Sequence, residues 1–427
     1  MKKSRFANII RNKGDYIVHN TLFGGVIKAK CDSSRALLDS IDDGSSFEFN
    51  DTEGFHRALR DMRIIVDDNT NEEGLANLYY STMQQKELLI IPFVTRQCNF
   101  RCVYCYENFT DERMSEDTYD DLLGVIEQLI DAKGYKSLRI SFFGGEPLIE
   151  YEMICRFSEK ALELAERKGI HFFGGMTTNG YLLDGDKLRK MEKLGIIDYQ
   201  ITVDGLKETH DKSRPLVGGG GSWDKIMENL LDAKKSDCNF RFMIRTNFDN
   251  AITSDAVNFL EFMATNFKGD ERFAFHFEAA KKLGGKNDCI LETVEDEAGD
   301  MNDMLVTARK NGLKLSGVTA FTQPFGMVCY AAKNDSFAID YDGTIMKCTV
   351  HLDAPHNRIG SIIDGKLNIK DHLLSTWTSL DLPDKCKACK IYSVCYGKKC
   401  PAVISTEEGC HKCTTMYENA MSSLYIE

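Results

Sequence analysis

Cys98, Cys102 and Cys105, in the run TRQCNFRCVYCYE, place three thiols within eight residues. The next cysteine or histidine is Cys155, so no fourth ligand lies close in sequence. Structural zinc sites are closed by four ligands, and three leave a position open. An iron-sulfur cubane with three protein-ligated irons keeps its fourth iron free for a substrate or cofactor, and it suits the trio better. A three-cysteine zinc site completed by a distant ligand, or reduced thiols in a core, are the alternatives.

A second group of cysteines lies near the other end. Cys329 is followed by the turn DYDGTIMKC, in which Gly343 stands five residues before Cys348; then come Cys386, Cys389, Cys395 and Cys400, and finally Cys410 and Cys413. These eight thiols are what two four-cysteine clusters would need, and a zinc ribbon on Cys386, Cys389 and two later cysteines is the competing reading. Cys31, Cys155, Cys238 and Cys289 have no partner spacing and read as core or surface thiols.

Composition narrows the setting. The 427 residues suffice for two or three domains, with 43% hydrophobic residues to supply cores. Fifty-three basic and 65 acidic side chains give a net charge of −12 with no long basic run, which argues against nonspecific nucleic-acid or anionic-membrane binding. The start MKKSRFANIIRNKGDY lacks the apolar core of a signal peptide, and no stretch of about 18 apolar residues occurs. A cytoplasmic protein is expected. Fifteen cysteines crowded at short spacings in a reducing compartment point to metal rather than to disulfides.

The elements that must position these groups follow from periodicity. Residues 14–30 read as two strands joined around Gly24 and Gly25, followed by a short helix to Ile41 with Ser33 as a candidate cap, a second amphipathic stretch FHRALRDM, and the β-like RIIVDD. From Leu88 strands and helices alternate: strands LLIIPFV, LRISFFGG, HFFGGMTTNG, YQITVDG, FRFMIRTNF and RFAFHFEA, with helices between them, the first capped by Ser115. Six βα units imply an α/β fold with parallel strands and right-handed crossovers, a partial (β/α)6 TIM barrel. Active sites of such folds sit on the loops at the C-terminal ends of the strands. Polar residues recur there: Gly144, Gly145 and Glu146; Thr177, Thr178, Asn179 and Gly180; Thr202, Asp204 and Gly205; Arg214 in the following loop; Arg245 and Asn247. His276 and Glu278 alternate on the last strand and share a face, fit either for a core or to orient a substrate or move a proton.

The trio's spacing, three residues and then two, with aromatic Phe100, Tyr104 and Tyr106 interleaved, resembles the signature of the radical S-adenosylmethionine (radical SAM) superfamily. That resemblance covers roughly residues 85–425. It implies a [4Fe-4S] cluster on Cys98, Cys102 and Cys105 whose open iron chelates the amino and carboxylate groups of SAM and injects an electron, giving a 5′-deoxyadenosyl radical. It further implies that Gly144, Gly145 and Glu146 receive the SAM amino group, and that Asn179, Thr202, Asp204 and Arg214 make the other SAM contacts, Thr202 through the ribose. The C-terminal cysteines resemble the SPASM extension, which carries two auxiliary iron-sulfur clusters. Carried over, Cys329, Cys348 and Cys400 would hold the first, and Cys386, Cys389 and Cys395, with Cys413 or Cys410, the second. Here four residues separate Cys395 from Cys400 where the family usually has three, and two cysteines compete for the last position.

The expected organisation is a winged-helix-like leader-peptide recognition domain over 1–84, a radical SAM partial barrel over 85–314 and a SPASM domain over 315–427. The resemblance then implies a maturase that binds a ribosomally synthesised precursor peptide through its leader, takes electrons from a reductase such as flavodoxin or ferredoxin, and forms a cross-link, first of all a cysteine thioether. Carbon-carbon or carbon-oxygen links, and formylglycine formation on a sulfatase-like protein as in anaerobic sulfatase maturases, are the alternatives; a non-catalytic iron-sulfur or zinc protein is a different class. Three cubanes predict about twelve iron atoms per chain after anaerobic reconstitution; a zinc content near one or two with little iron would point to the ribbon.

Overall fold

Strand-forming β-branched runs and 3.6-periodic helices sort the chain into two units in the computed structural model, which describes residues 1–12, 14–43, 49–50, 53–83, 86–289, 291, 293–379, 384–397 and 407–425. One unit comprises 1–84, 317–332 and 379–427; the other comprises 85–316 and 333–378. The cysteine-rich region 315–427 therefore contributes to both.

In the first unit, β1 (Lys2–Lys3) awaits a later partner, while β2 (Ala7–Asn12), β3 (Asp15–Asn20) and β4 (Val26–Ala29) form an antiparallel meander, with Ala7 opposite Asn20 and Tyr16 opposite Ala29. The hairpin around Gly24 is as the sequence suggests, and Gly24 takes φ 75°, a conformation that favours glycine. The preceding strand β2 was not read from the sequence. Helix α1 (Asp32–Asp42) begins earlier than expected: its N-cap is Cys31 rather than Ser33, and Ser33 and Ser34 instead lie 3.2 and 3.1 Å from the Cys31 sulfur. Helix α2 (Gly54–Asp61) leads to β5 (Ile65–Val66), which pairs antiparallel with β1, and α3 (Glu72–Met83) closes the module. Val18, Ala29, Leu38, Ile41, Leu59, Ile64 and Ile65 make its core.

The second unit is the α/β body. β6 (Glu87–Pro92), α4 (Glu116–Lys133), β7 (Ser137–Phe142), α5 (Tyr151–Lys168), β8 (His171–Thr178), α6 (Gly185–Lys193), β9 (Ile196–Thr202), α7 (Lys207–Ser213), α8 (Trp223–Lys235), β10 (Arg241–Phe248), α9 (Asn250–Thr253), α10 (Ala256–Phe267) and β11 (Phe273–Ala279) follow in turn. Strands β6 to β11 are parallel and adjacent in sequence order, as right-handed βα units require. Ser115 caps α4 by accepting the Thr118 N–H at 3.1 Å. After α11 (Glu297–Lys310), β12 (Ser336–Ile339) joins the sheet beside β6 in parallel, and β13 (Thr344–Met346), β14 (Arg358–Ile363) and β15 (Lys366–Ile369) continue it antiparallel. The sheet is open, in the order β11-β10-β9-β8-β7-β6-β12-β13-β14-β15. Helix α12 (Asp371–Thr378) ends this unit.

The first unit is completed by α13 (Asp384–Lys387), α14 (Tyr392–Cys395) and α15 (Glu407–Tyr425). Tyr417 on α15 reaches His19 of β3 with a hydroxyl–Nδ1 distance of 2.8 Å, and Tyr396 stacks on Tyr80 of α3 at 4.1 Å between ring centroids. No helix among the described residues is long and apolar enough to cross a membrane.

Leu38 and Leu59 are wholly buried in the N-terminal core. Leu59→Ala is expected to lower stability by ~2–5 kcal/mol, measured by urea denaturation with an N-terminal fluorescence probe.

Candidate active site

The segment after β6 carries the cysteine trio, and backbone hydrogen bonds zip it to residues 213–217. Arg101 N–H donates to the Pro215 carbonyl at 2.8 Å, Val103 N–H to Ser213 at 2.9 Å, and Val217 N–H to Asn99 at 2.9 Å. This fixes the loop beside Arg214. Phe100 N–H donates to the Cys98 sulfur at 3.4 Å. Burial pushes the Cys98 thiol up, and the charge of Glu146, then Cys102 and Cys105, push it further. Burial also raises Cys105, to about 12, with Glu107 adding to it. Cys102 is raised by burial against the pull of the Arg214 cation. Among the described residues, no three His, Cys, Asp or Glu side chains converge as ligands of one ion. A cubane makes a different demand, since each of its three thiolates binds a separate iron.

The GGE turn at the end of β7 lies against the foot of this loop. Gly145 takes φ 33°, and a Cβ there would sit 1.9 Å from the Gln97 carbonyl oxygen; at Gly144, with φ 87°, it would sit 2.7 Å from that of Thr95. Only a residue without a side chain allows this approach. Glu146 N–H donates to the Gln97 carbonyl at 2.7 Å. The Glu146 carboxylate is fully buried and turned toward β8, where it accepts the Thr178 hydroxyl and the Asn179 N–H, both at 2.7 Å, and the Leu148 N–H at 3.0 Å. Burial raises its pKa, with these donors opposing. Its carboxylate thus straps two strand ends together. Asn179 in turn donates its side-chain amide to Asn99 of the cysteine loop at 2.7 Å.

The next strand ends hold a buried charged group. Tyr104, between two of the cysteines, donates its hydroxyl to Asp204 and accepts from Arg214, while the Asn247 amide reaches the same hydroxyl at 3.1 Å. Asp204 also accepts the Asn247 N–H at 2.7 Å and lies 3.7 Å from Arg214. Burial raises the Asp204 carboxyl although the Arg214 charge opposes it. Burial works against the Arg214 cation, yet Cys102, Tyr104 and Asp204 hold it firmly charged. Its Nε is buried without a hydrogen-bond partner. An orphaned guanidinium donor beside the Cys102 and Cys105 thiols fits a site for a carboxylate-bearing ligand of a thiolate-held cluster. Thr202 is nearly buried at the end of β9.

Sequence reasoning passed over the clamp on the loop's two shoulders. Arg96, two residues before Cys98, donates to Asp340 at 2.6 Å and lies 3.7 Å from Glu107, two residues after Cys105. Glu107 also accepts the Gly145 N–H at 3.1 Å. All three side chains are at most 10% exposed. Opposite charges placed symmetrically outside the trio were the available signal; Asp340, in the turn after β12, had none.

The auxiliary cysteines are placed unevenly. Cys348 lies buried in the second unit, where its sulfur accepts the Val350 N–H at 3.3 Å and its N–H donates to Asn357 at 2.8 Å. In the first unit Cys386 packs with Cys389 among Phe6, Leu22, Tyr392 and Tyr396, and Cys389 and Cys395 both border the core of Ile391, Val394 and Tyr417. Cys329 is half-buried in the same unit. Cys400 lies outside the described residues, and Cys410 and Cys413 fall on α15 with side chains outside them. Cys155 and Cys238 are buried and Cys31 and Cys289 exposed, as core and surface thiols.

Residues 93–254 match the Radical SAM superfamily. Over 254 residues the chain is 29% identical to a GTP 3′,8-cyclase of Clostridium perfringens, covering 58% of this chain and 73% of that one. It is 24% identical to a serine-type anaerobic sulfatase-maturating enzyme of Bacteroides thetaiotaomicron, covering 75% and 84%. Among solved structures, the fold is similar to native anSMEcpe with bound AdoMet and Cp18Cys peptide, at TM-score 0.58, 18% identity and coverage of 78% and 97%. It is also similar to Streptococcus suis SuiB bound to precursor peptide SuiA, at TM-score 0.50, 15% identity and coverage of 95% and 97%.

Gly145→Ala must drive Gln97 away and is expected to abolish cluster loading at the trio, read as lost iron and a lost SAM-dependent change in the reduced protein's EPR signal. Asp340→Asn leaves Arg96 short of its counter-charge and is expected to cost about 3 kcal/mol or more in urea denaturation, with a lower iron content.

Proposed function

We propose, on the premise that residues 93–254 form a radical SAM domain and the chain is an enzyme, that it modifies a ribosomally made precursor peptide by forming a cross-link, most directly a cysteine thioether. A [4Fe-4S] cluster held by Cys98, Cys102 and Cys105 would supply the electron for reductive cleavage of SAM, the source of the radical that such an enzyme uses on its substrate. The chain's own part is positional. The backbone of Gly144, Gly145 and Glu146 meets the SAM amino group, Arg214 offers its unpartnered Nε to the carboxylate, Thr202 serves the ribose, and Asn179 and Asp204 hold the cysteine loop through Asn99 and Tyr104.

The observation that carries the peptide reading is the likeness to peptide-bound SuiB along 95% of this chain, a span too long to leave out the N-terminal unit. That unit offers a three-stranded antiparallel sheet with helices, the kind of surface to which an extended peptide adds a strand. In this reading 1–84 would bind the leader, 85–314 would perform the radical step and 315–427 would act as a SPASM region with two auxiliary [4Fe-4S] clusters. Cys329, Cys348 and Cys400 serve one, and Cys386, Cys389 and Cys395 with Cys413 or Cys410 the other. A reductase of flavodoxin or ferredoxin type supplies electrons in the cytoplasm.

The resemblance in sequence to a sulfatase-maturating enzyme favours a second reading, oxidation of a cysteine or serine to formylglycine. The two separate cleanly. Incubating the reduced, reconstituted enzyme with SAM and short cysteine-containing peptides encoded beside its gene should give a loss of two hydrogens, a cysteine that no longer alkylates and no reaction with hydrazide. A hydrazide-reactive aldehyde would establish formylglycine instead, and deoxyadenosine formation without any peptide change would sink both.

A further inference from the structure

The last barrel strand carries a group that the SAM contacts leave unused. Along β11, Phe273, Phe275, Phe277 and Ala279 are buried on one face, so Ala274, His276 and Glu278 share the other. Ala274 lines a half-open cavity of about 470 Å³ that opens at the N-terminal ends of the strands among Arg139, Asp198, Arg241, Glu271 and Lys314. His276 and Glu278 lie on that same face, nearer the C-terminal end of the strand.

Two connections tie this pair to the cysteine loop. On the neighbouring strand Arg245 stands beside His276 and Asn247 beside Glu278; Arg245 donates to the Asn247 side chain at 2.8 Å, and Asn247 donates to Tyr104. The chain leaving β11 then returns over the loop so closely that a Cβ at Gly285 would lie 2.5 Å from the Cys105 carbonyl oxygen. The pair thus stands at the C-terminal ends of the strands, beside the cluster loop.

The hydrogen bonds assign the nitrogens. His276 Nδ1 lies 3.4 Å from the Ser316 carbonyl, which can only accept, so Nδ1 carries the hydrogen and Nε2 holds the lone pair. Glu278 Oε2 is 3.8 Å from Nε2, and Lys281 grips the other carboxylate oxygen at 2.5 Å while itself lying 2.9 Å from Glu297. Burial opposes the Glu278 charge, but the Lys281 and Arg245 cations hold its carboxyl far below the usual carboxylate range. An imidazole that gained a proton would therefore meet a fixed anion. The other acids of the mouth are committed: Glu146 to Thr178, Asn179 and Leu148, Glu107 to Arg96 and Gly145, and Asp204 to Tyr104 and Asn247.

We propose that His276 Nε2, backed by Glu278, takes the proton from the peptide nucleophile as the cross-link closes. The inference rests on the peptide cross-linking reading above. In that step the substrate C–H bond gives its hydrogen atom to the deoxyadenosyl carbon, the S–H bond gives its proton to Nε2, and the C–S bond forms as one electron leaves to an iron-sulfur acceptor of the enzyme. One hydrogen atom, one proton and one electron balance the lost two hydrogens.

The test uses the reconstituted full chain and the peptide that the wild type modifies in the assay above. His276→Gln is expected to lower cross-linked product about 100-fold while deoxyadenosine release, and deuterium transfer from labelled peptide into it, stay within about twofold. Added imidazole should restore product to His276→Ala, and Glu278→Gln should lower the product-to-deoxyadenosine ratio in the same direction. If His276→Gln does not fold, judged by iron content and unfolding midpoint, Glu278→Gln carries the test. A wild-type ratio in either folded variant, or a parallel loss of deoxyadenosine and product without imidazole rescue, overturns the assignment and leaves the cross-linking reading standing. If the wild type itself modifies no peptide, the reading beneath fails and takes this assignment with it.

Discussion

The close approach of one backbone to another governs this molecule: the Gly144–Gly145 turn resting on the carbonyls of Thr95 and Gln97. It brings the ends of β6 and β7 into contact at the place where the cysteine loop departs. Everything around it is arranged to keep that contact. Glu146 N–H and Gln97 share a hydrogen bond, the Glu146 carboxylate pulls β8 in, and Glu107 returns from the far side of the trio to cap the Gly145 N–H. A loop of this length has few intrinsic constraints, so its shape is imposed by its neighbours.

Buried charge is the second constraint. Arg96 with Glu107 and Asp340, and Arg214 with Asp204, are ion pairs removed from water, where desolvation offsets much of the attraction. They are poor devices for stability and good ones for placement, because a displaced partner would strand its counter-charge. At the β11 end a more exposed group, Glu278 with Lys281, ties Glu297 of α11 to the same rim.

The parallel βα body was legible in the sequence because both its periodicities are strong. The strand HFFGGMTTNG begins at His171 where the spacing places it, and a helix, Tyr151–Lys168, lies before it as expected between strands. The trio and the GGE turn were legible because their chemistry is local. What escaped notice depends on distant partners. β2 is hidden in an N-terminal run whose basic ends resemble a tail, α7 is only seven residues long, and β12 to β15 are short strands in cysteine-rich loops whose pairing is set by the sheet edge they join. Arg96 gives no sign of its role in the sequence, because its partner, Asp340, is separated from it by 244 residues. For Cys329, Cys348 and the cysteines beyond, the spacing names ligand types but leaves the partition between two structural units unstated.

The pairing of β12 with β6 has a temporal consequence. The first barrel strand finds its outer neighbour only when residues 336–339 have been made, with Leu89 opposite Ser336 and Pro92 opposite Ile339. A chain without those residues would leave β6 as an open, apolar edge, the kind of surface that recruits other strands. Such long sequence separation slows folding, since chain closure must precede the contacts that reward it. Recombinant yield should thus depend on elongation speed and chaperone supply as well as on the availability of iron and sulfide.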